Sequence, residues 1–118
     1  MAWSFENGRP IYAQLLEQIE QKIISGEYSP GEKLPSVREL AAEAAVNPNT
    51  MQRAMAELEQ KGFVVTNRTA GRTVTEDEEI LKQMKEKKAQ ESTRIYITQM
   101  KEMGFTKEEM IALIKKGE

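Results

Sequence analysis

The chain has 118 residues, of which 39% are hydrophobic and 31% charged, and its formal net charge is -2. This length supports one small domain with an appendage rather than two full cores. The absence of Cys and His excludes disulfides, thiolate or imidazole metal ligands, and the Ser-His and Cys-His types of nucleophilic catalysis. We therefore expect a protein that is not an enzyme and needs no cofactor or metal. No apolar run approaches the roughly 20 residues of a membrane helix and no signal peptide opens the chain, so we expect a cytoplasmic protein without membrane contact.

Charge is distributed unevenly along the chain. Residues 1–32, 33–75 and 76–118 carry net charges of -3, +2 and -1. Only the middle segment is positive, and a local basic surface within an acidic protein is compatible with nucleic-acid binding.

The N-terminal third predicts a scaffold helix. Trp3 and Phe5 are expected to pack across this helix rather than stack on a base, since no basic residues alternate with them. The helix is predicted from the apolar spacing of Tyr12, Leu15, Leu16, Ile19 and Ile23, and it ends near Gly26. A Pro-Gly turn follows, and Lys33 after it is open to two interpretations, a phosphate contact or a solvated side chain.

Residues 36–63 predict two short helices joined by a tight corner. Ser36 and Glu39 have the spacing of a capping box at the start of the first helix. Asn47 as N-cap and Pro48 at the first helical position mark the start of the second, and Gly62 suits its C-terminus. Apolar residues at helical spacing give each helix one inward face, which leaves Arg38 of the first helix pointing outward. This pattern predicts a helix-turn-helix.

The second helix opens with polar side chains and no acidic ones. The residues concerned are Asn49, Thr50, Gln52 and Arg53. Amide side chains suit adenine, arginine suits guanine, and a helix N-terminus attracts phosphate, so this end of the helix is the candidate for entry into the major groove of double-stranded DNA. Taken alone, the same pattern fits a solvated helix face equally well.

Two β-branched segments, residues 63–66 and 72–75, predict a hairpin whose loop is formed by residues 67–71, Ala70 among them. Arg68 and Arg72 flank its tip. An arginine-bearing hairpin beside a reading helix is placed to contact the DNA backbone or minor groove. The alternative is a plain capping hairpin with solvated arginines.

Pro10 to Val74 resembles the winged helix-turn-helix domain of the GntR family of bacterial transcription regulators, most specifically in SPGEKLPSVRELA and VNPNTMQRAMAELEQKGFV. The short tail and the NPNT corner resemble the YtrA-type subgroup. The resemblance implies a mainly α fold with a small β wing and a short edge strand near Leu34. It also implies that Arg38 binds DNA, as the matching arginine does across the family, and that the wing, including Gly71, contributes contacts. The sequence departs from the family at Thr69 and Thr73, which leaves the wing's turn open.

Residues 76–118 predict a helical tail. One long helix is favoured over a hinge through the polar residues 85–94, because these contain no Gly or Pro. Thr106 and Glu109 form a second capping box before a last helix. The tail's apolar residues are too many for two helices to bury between themselves, and a second copy of the chain is the expected cover. The candidates for dimerisation are Ile95, Met100, Met103, Phe105, Met110, Leu113 and Ile114.

Together these patterns predict a homodimeric, sequence-specific transcription regulator, favoured as a repressor. Residues 1–75 form the DNA-binding domain and residues 76–118 the dimerisation tail, as YtrA-type regulators also dimerise through C-terminal helices. The alternative is a winged-helix protein-interaction module that docks through its Met-rich tail helices. The acidic net charge favours this alternative, whereas the acid-free start of the reading helix argues against it. The operator and any small-molecule effector are left open.

Overall fold

A computed structural model of the chain describes residues 3–69 and 71–117. Within these residues it contains α1 (Ile11–Ile24), α2 (Val37–Ala44), α3 (Pro48–Gln60), β1 (Val64–Asn67), β2 (Gly71–Val74), α4 (Glu78–Glu102) and α5 (Lys107–Lys116). The predicted fold class, mainly helical with a small antiparallel wing and a helical C-terminal part, is confirmed. Contacts divide the chain into two compact units, Met1–Lys82 and Gln83–Glu118. The domain boundary predicted after Thr75 stays a prediction.

The N-terminal segment packs along α1, as expected from its two aromatic residues. Trp3 and Phe5 are both partly buried. Ser4 and Gln18 exchange two hydrogen bonds between backbone and side-chain amide, and the Glu6 N–H donates to the Gln14 side chain at 2.7 Å. The buried Lys22 ammonium lies 4.7 Å from the centroid of the Trp3 ring, so a cation–π contact adds to this attachment.

Local side-chain bonds set the start of α2 and α3. The Glu39 N–H donates to Ser36 Oγ at 3.1 Å while the Ser36 N–H donates to Glu39 Oε1 at 2.9 Å, which confirms the predicted capping box. The Asn47 side chain accepts from the Asn49 N–H at 2.7 Å, and Pro48 occupies the first turn. Between the helices, Ala45 has φ 57° and ψ 46°, a left-handed conformation that the sequence did not predict because alanine rarely adopts it.

The core of the first unit is built from the inward faces of α1, α2 and α3 together with the hairpin. Its most completely buried large side chains are Leu15, Ile19, Leu40, Met51, Met55, Leu58, Val64 and Val74. Gly62, with φ 86°, follows the last turn of α3, and the Phe63 N–H returns to the Leu58 carbonyl at 3.0 Å. This turn directs the chain from α3 into β1 and so fixes the hairpin against α3.

The hairpin is the predicted wing, with each strand shifted by one residue toward the loop, so that the loop is shorter than predicted. Its register pairs Val64 with Val74 and Asn67 with Gly71; Ala70, a predicted loop residue, lies outside the described residues. The edge strand expected near Leu34 is reduced to one bridge, between Lys33 and Thr73. It is short because Pro35, two residues after Lys33, lacks an N–H, and because Ser36 already caps α2.

The second unit contains most of α4 and all of α5. The polar residues 85–94 are helical throughout, which confirms the continuous helix. The Thr106–Glu109 capping box is also confirmed, with hydrogen bonds of 2.9 and 3.1 Å. Among the helices of residues 3–69 and 71–117, none is both long enough and apolar enough to cross a bilayer.

Candidate nucleic-acid interface

An open cleft lies where the start of α2, one face of α3 and the hairpin meet. Its volume is about 610 Å³, and it is lined by Lys33, Leu34, Pro35, Ser36, Val37, Arg38, Glu39, Gln52, Thr66, Gly71 and Arg72. Four residues predicted to bind DNA, Arg38, Gln52, Gly71 and Arg72, are therefore brought together from three separate elements. Sequence spacing placed Arg38 and Gln52 on outward faces, but only the fold puts both beside the hairpin.

The cleft is positively charged. Lys33, Arg38 and Arg72 line it with a single acidic residue, Glu39. The Ser36 backbone amide donates to the Glu39 carboxylate and lowers the pKa of that group, so Glu39 stays ionised and engaged in the capping box. The Lys33 side chain is exposed and lines the cleft, a position that fits both interpretations, a phosphate contact and a solvated side chain.

Glu59 connects α3 to both strands of the wing. Its carboxylate accepts a hydrogen bond from the Thr66 hydroxyl on β1 and lies 3.5 Å from Arg72 Nε on β2. Arg72 Nε is buried and finds no hydrogen-bond partner in the described part of the chain. Sequence reasoning missed Glu59, although its position seven residues after Gln52 places both on one face of the helix.

Arg53 lies apart from this cleft, toward α1. Its guanidinium carbon is 3.8 Å from the centroid of the Tyr12 ring, and the Tyr12 hydroxyl donates a hydrogen bond to the Glu57 carboxylate. Gln52 and Arg53 therefore lie on different sides of α3, Gln52 in the cleft and Arg53 against α1. Sequence reasoning missed the role of Tyr12 because its only local signal was a place in the apolar spacing of α1.

The remaining predicted DNA contacts are accessible to different degrees. Asn49 and Arg68 are exposed, and Thr50 is partly buried at the start of α3. None of these three lines the cleft. The assignment of individual side chains to DNA stays a prediction.

The residues predicted to mediate dimerisation fall into two groups. Ile95, Met103, Leu113 and Ile114 are between 43% and 65% exposed, and Ile111, which was not among the candidates, is 51% exposed. Met100 and Met110 are buried, and Phe105 is partly buried. The first group is therefore available to a partner, whereas Met100 and Met110 are already covered within one copy of the chain.

The family model described as "Bacterial regulatory proteins, gntR family" matches residues 11–74, more than half of the chain. The chain belongs to the GntR family. The resemblance found in the sequence is thereby confirmed, and membership in a family of regulatory proteins agrees with the expectation that the chain is not an enzyme.

Individual relatives match this chain over different lengths. The Bacillus subtilis HTH-type transcriptional regulator YhcF is 45% identical over 111 residues, which span 94% of this chain and 92% of YhcF. The HTH-type transcriptional repressor YtrA of the same species is 44% identical over 68 residues, 58% of this chain and 52% of YtrA. The similarity to YhcF thus includes the tail, whereas the similarity to YtrA covers only part of each protein.

Solved structures give the same fold. A GntR family transcriptional regulator from Listeria monocytogenes has a TM-score of 0.88 and 42% identity, covering 95% of this chain and 98% of that one. The DNA-binding domain of AraR, in a structure of its complex with operator ORX1, has a TM-score of 0.56 and 26% identity over 64% of this chain and 99% of that one. Both support the winged-helix assignment of the first unit.

Proposed function

We propose that this protein is a sequence-specific, DNA-binding transcription regulator that acts in the cytoplasm as a homodimer and represses its target genes. The observation that carries the proposal is the basic cleft, because it joins the reading helix, Arg38 and the wing on one surface. The AraR domain that shares this fold is seen bound to an operator, and YtrA is named a repressor.

In the proposed complex, the N-terminal end of α3 enters the major groove. Gln52 and Asn49 present amides to base edges, and Arg53 presents a guanidinium to guanine or phosphate. Thr50 contacts the backbone or a base with its hydroxyl. Arg38 neutralises a phosphate from the start of α2, at the rim that Lys33 shares.

The wing completes the proposed contact surface. Arg68 and Arg72 bind the backbone or the minor groove, and Gly71 allows a close approach because it has no side chain. Arg72 is half-buried beside Glu59, so its orientation is set before DNA arrives.

Dimerisation is proposed to occur through residues 76–118, with residues 1–75 as the DNA-binding domain. The support is the number of exposed apolar side chains in the tail, since large exposed apolar patches mark interaction surfaces. Two-fold symmetry would place two reading helices on an inverted repeat whose half-sites lie about 10 base pairs apart, centre to centre.

Selection of duplexes from a random library tests this proposal. The purified protein, with its oligomeric state measured in parallel by sedimentation, is expected to enrich an inverted repeat as a dimer. The Arg38→Ala, Arg53→Ala double variant is expected to lose that enrichment. No enrichment by the wild-type protein would contradict DNA recognition and favour the alternative, a protein-interaction module that docks through the tail.

A further inference from the structure

Tyr12 of α1 contacts two residues of α3 at once. The guanidinium of Arg53 lies over its ring, with Cζ 3.8 Å from the centroid, and its hydroxyl donates to the Glu57 carboxylate. Arg53 and Glu57 are four residues apart, so they lie on the same face of α3 in successive turns. One turn of α3 therefore anchors the ring, and the ring supports the arginine presented by the preceding turn.

The stacked geometry leaves the chemistry of Arg53 available. A guanidinium that lies on an aromatic ring uses its face, while its five N–H donors point outward in its own plane. Across residues 3–69 and 71–117, the Arg53 side chain is exposed, and its contact with the Tyr12 ring is the only hydrogen-bond, ion-pair or ring interaction that it makes. An arginine held by its face loses less conformational entropy when its donors bind a ligand than an arginine free in solvent does.

Glu57 fixes the tyrosine rather than the arginine. Its carboxylate accepts from the Tyr12 hydroxyl and also lies 3.1 Å from the Lys61 ammonium, which itself lies 3.7 Å from the buried Glu20 of α1. This network ties α1 to α3 along the side of α3 that carries Arg53. The Tyr12 ring is therefore held beside Arg53, close to the N-terminal end of α3 that is proposed to read DNA.

We propose that Tyr12 is a positioning residue for DNA recognition. It holds the Arg53 guanidinium with its donors directed at DNA, and the bond to Glu57 holds the ring in place. The inference rests on the proposed DNA-binding function. It assigns to α1, a scaffold helix, an influence on the affinity of one base or phosphate contact that is exerted through Arg53.

A double-variant cycle on the full-length protein tests the proposal. The dissociation constant for the duplex selected by the wild-type protein is measured at one salt concentration for wild type, Tyr12→Leu, Arg53→Ala and the double variant. Tyr12→Leu is expected to weaken binding about two- to five-fold, the factor associated with an exposed cation–π contact. The same substitution in the Arg53→Ala background is expected to have no effect, and Tyr12→Phe, which keeps the ring, is expected to restore most of the affinity.

Equal losses from Tyr12→Leu with and without Arg53, or no loss in either background, would overturn the proposal, because Tyr12 would then not act through Arg53. A measurement on the unaltered protein covers the case in which Tyr12→Leu does not fold. The Arg53 side-chain protons are expected to show an upfield ring-current shift in NMR spectra relative to those of Arg38, and its absence would also overturn the proposal. Failure of the proposed function is seen separately, as a wild-type protein that selects no duplex.

Discussion

Glu59 is the acidic residue paired with Arg72, a proposed DNA contact, and Glu59→Gln is expected to strengthen DNA binding. In the free protein its carboxylate lies 3.5 Å from Arg72 Nε and accepts from the Thr66 hydroxyl. Glutamine keeps an oxygen that can accept from Thr66, so the link between α3 and β1 is retained. The substitution removes only the negative charge that competes with a phosphate for Arg72.

The size of the effect follows from distance and exposure. Arg72 and Glu59 are 24% and 37% exposed, so the pair is close to a surface ion pair, whose loss costs the fold about 0–1 kcal/mol. A phosphate bound on the other side of Arg72 would lie about 7 Å from Glu59, where like charges repel by about 0.6 kcal/mol in water. Removing this repulsion corresponds to roughly a three-fold gain in affinity. Because salt screens the repulsion, the gain is largest at low salt, which makes the slope of log K against log salt steeper.

Fluorescence anisotropy with a labelled duplex at 50 to 200 mM salt measures both quantities. Glu86→Gln is the matched control, because Glu86 is exposed on α4 and its loss changes the net charge equally. Tighter binding and a steeper salt slope are expected for Glu59→Gln alone. An unchanged or weaker affinity in a variant that melts like the wild type would refute the competition between Glu59 and phosphate, as would an equal gain in Glu86→Gln.

Four further predictions concern the start and end of α2, the partly buried Tyr28 and the exposed apolar surface of the tail. Ala45→Gly should raise the free energy of unfolding by roughly 0.5–1 kcal/mol and with it the urea midpoint, because the strain of a left-handed alanine exceeds the entropy that glycine adds to the unfolded chain; a lower midpoint would contradict this. Ser36→Ala removes the α2 cap and should lower stability by about 1 kcal/mol in the same assay, and no change would show that the cap is not used. Burial raises the pKa of Tyr28 to about 12, so the stability that its neutral form contributes is fully present below pH 10 and is lost as the pH rises through 12. Tyr28→Phe should remove the step in absorbance at 295 nm near pH 12, together with the loss of stability that ionisation of this tyrosine causes. Ile114→Glu, at a position 62% exposed, should weaken self-association in sedimentation without lowering the thermal midpoint of the monomer, and an unchanged dimer would place the interface elsewhere.

Features governed by neighbouring residues were predictable from the sequence. Both capping boxes, Ser36 with Glu39 and Thr106 with Glu109, are formed as their three-residue spacing indicates. The continuity of α4 through its polar middle also followed from composition, since no residue there disfavours a helix. In each case the cause and the effect lie within one or two helical turns.

Features that join distant segments were not predictable in the same way. The Tyr12–Glu57 bond spans 45 positions, and no local pattern marks either residue as a partner of the other. Ala45 adopts its left-handed conformation because packing of α2 against α3 requires a tight corner, which overrides the preference of alanine. The sequence likewise could not separate the buried Met110 from the exposed Ile114, because both are apolar residues of one short helix.

The most direct test of sequence-specific recognition compares two affinities of the wild-type protein at one fixed salt concentration. One is for a selected operator and the other for a scrambled duplex of the same length. Specific protein–DNA complexes are typically about 10³-fold or more tighter than non-specific ones, so the ratio of the two affinities is expected to be at least of that order. In Gln52→Ala the ratio is expected to fall by about 10- to 100-fold. A ratio near one, unchanged in that variant, would contradict sequence-specific recognition by α3 and leave the tail as the functional surface.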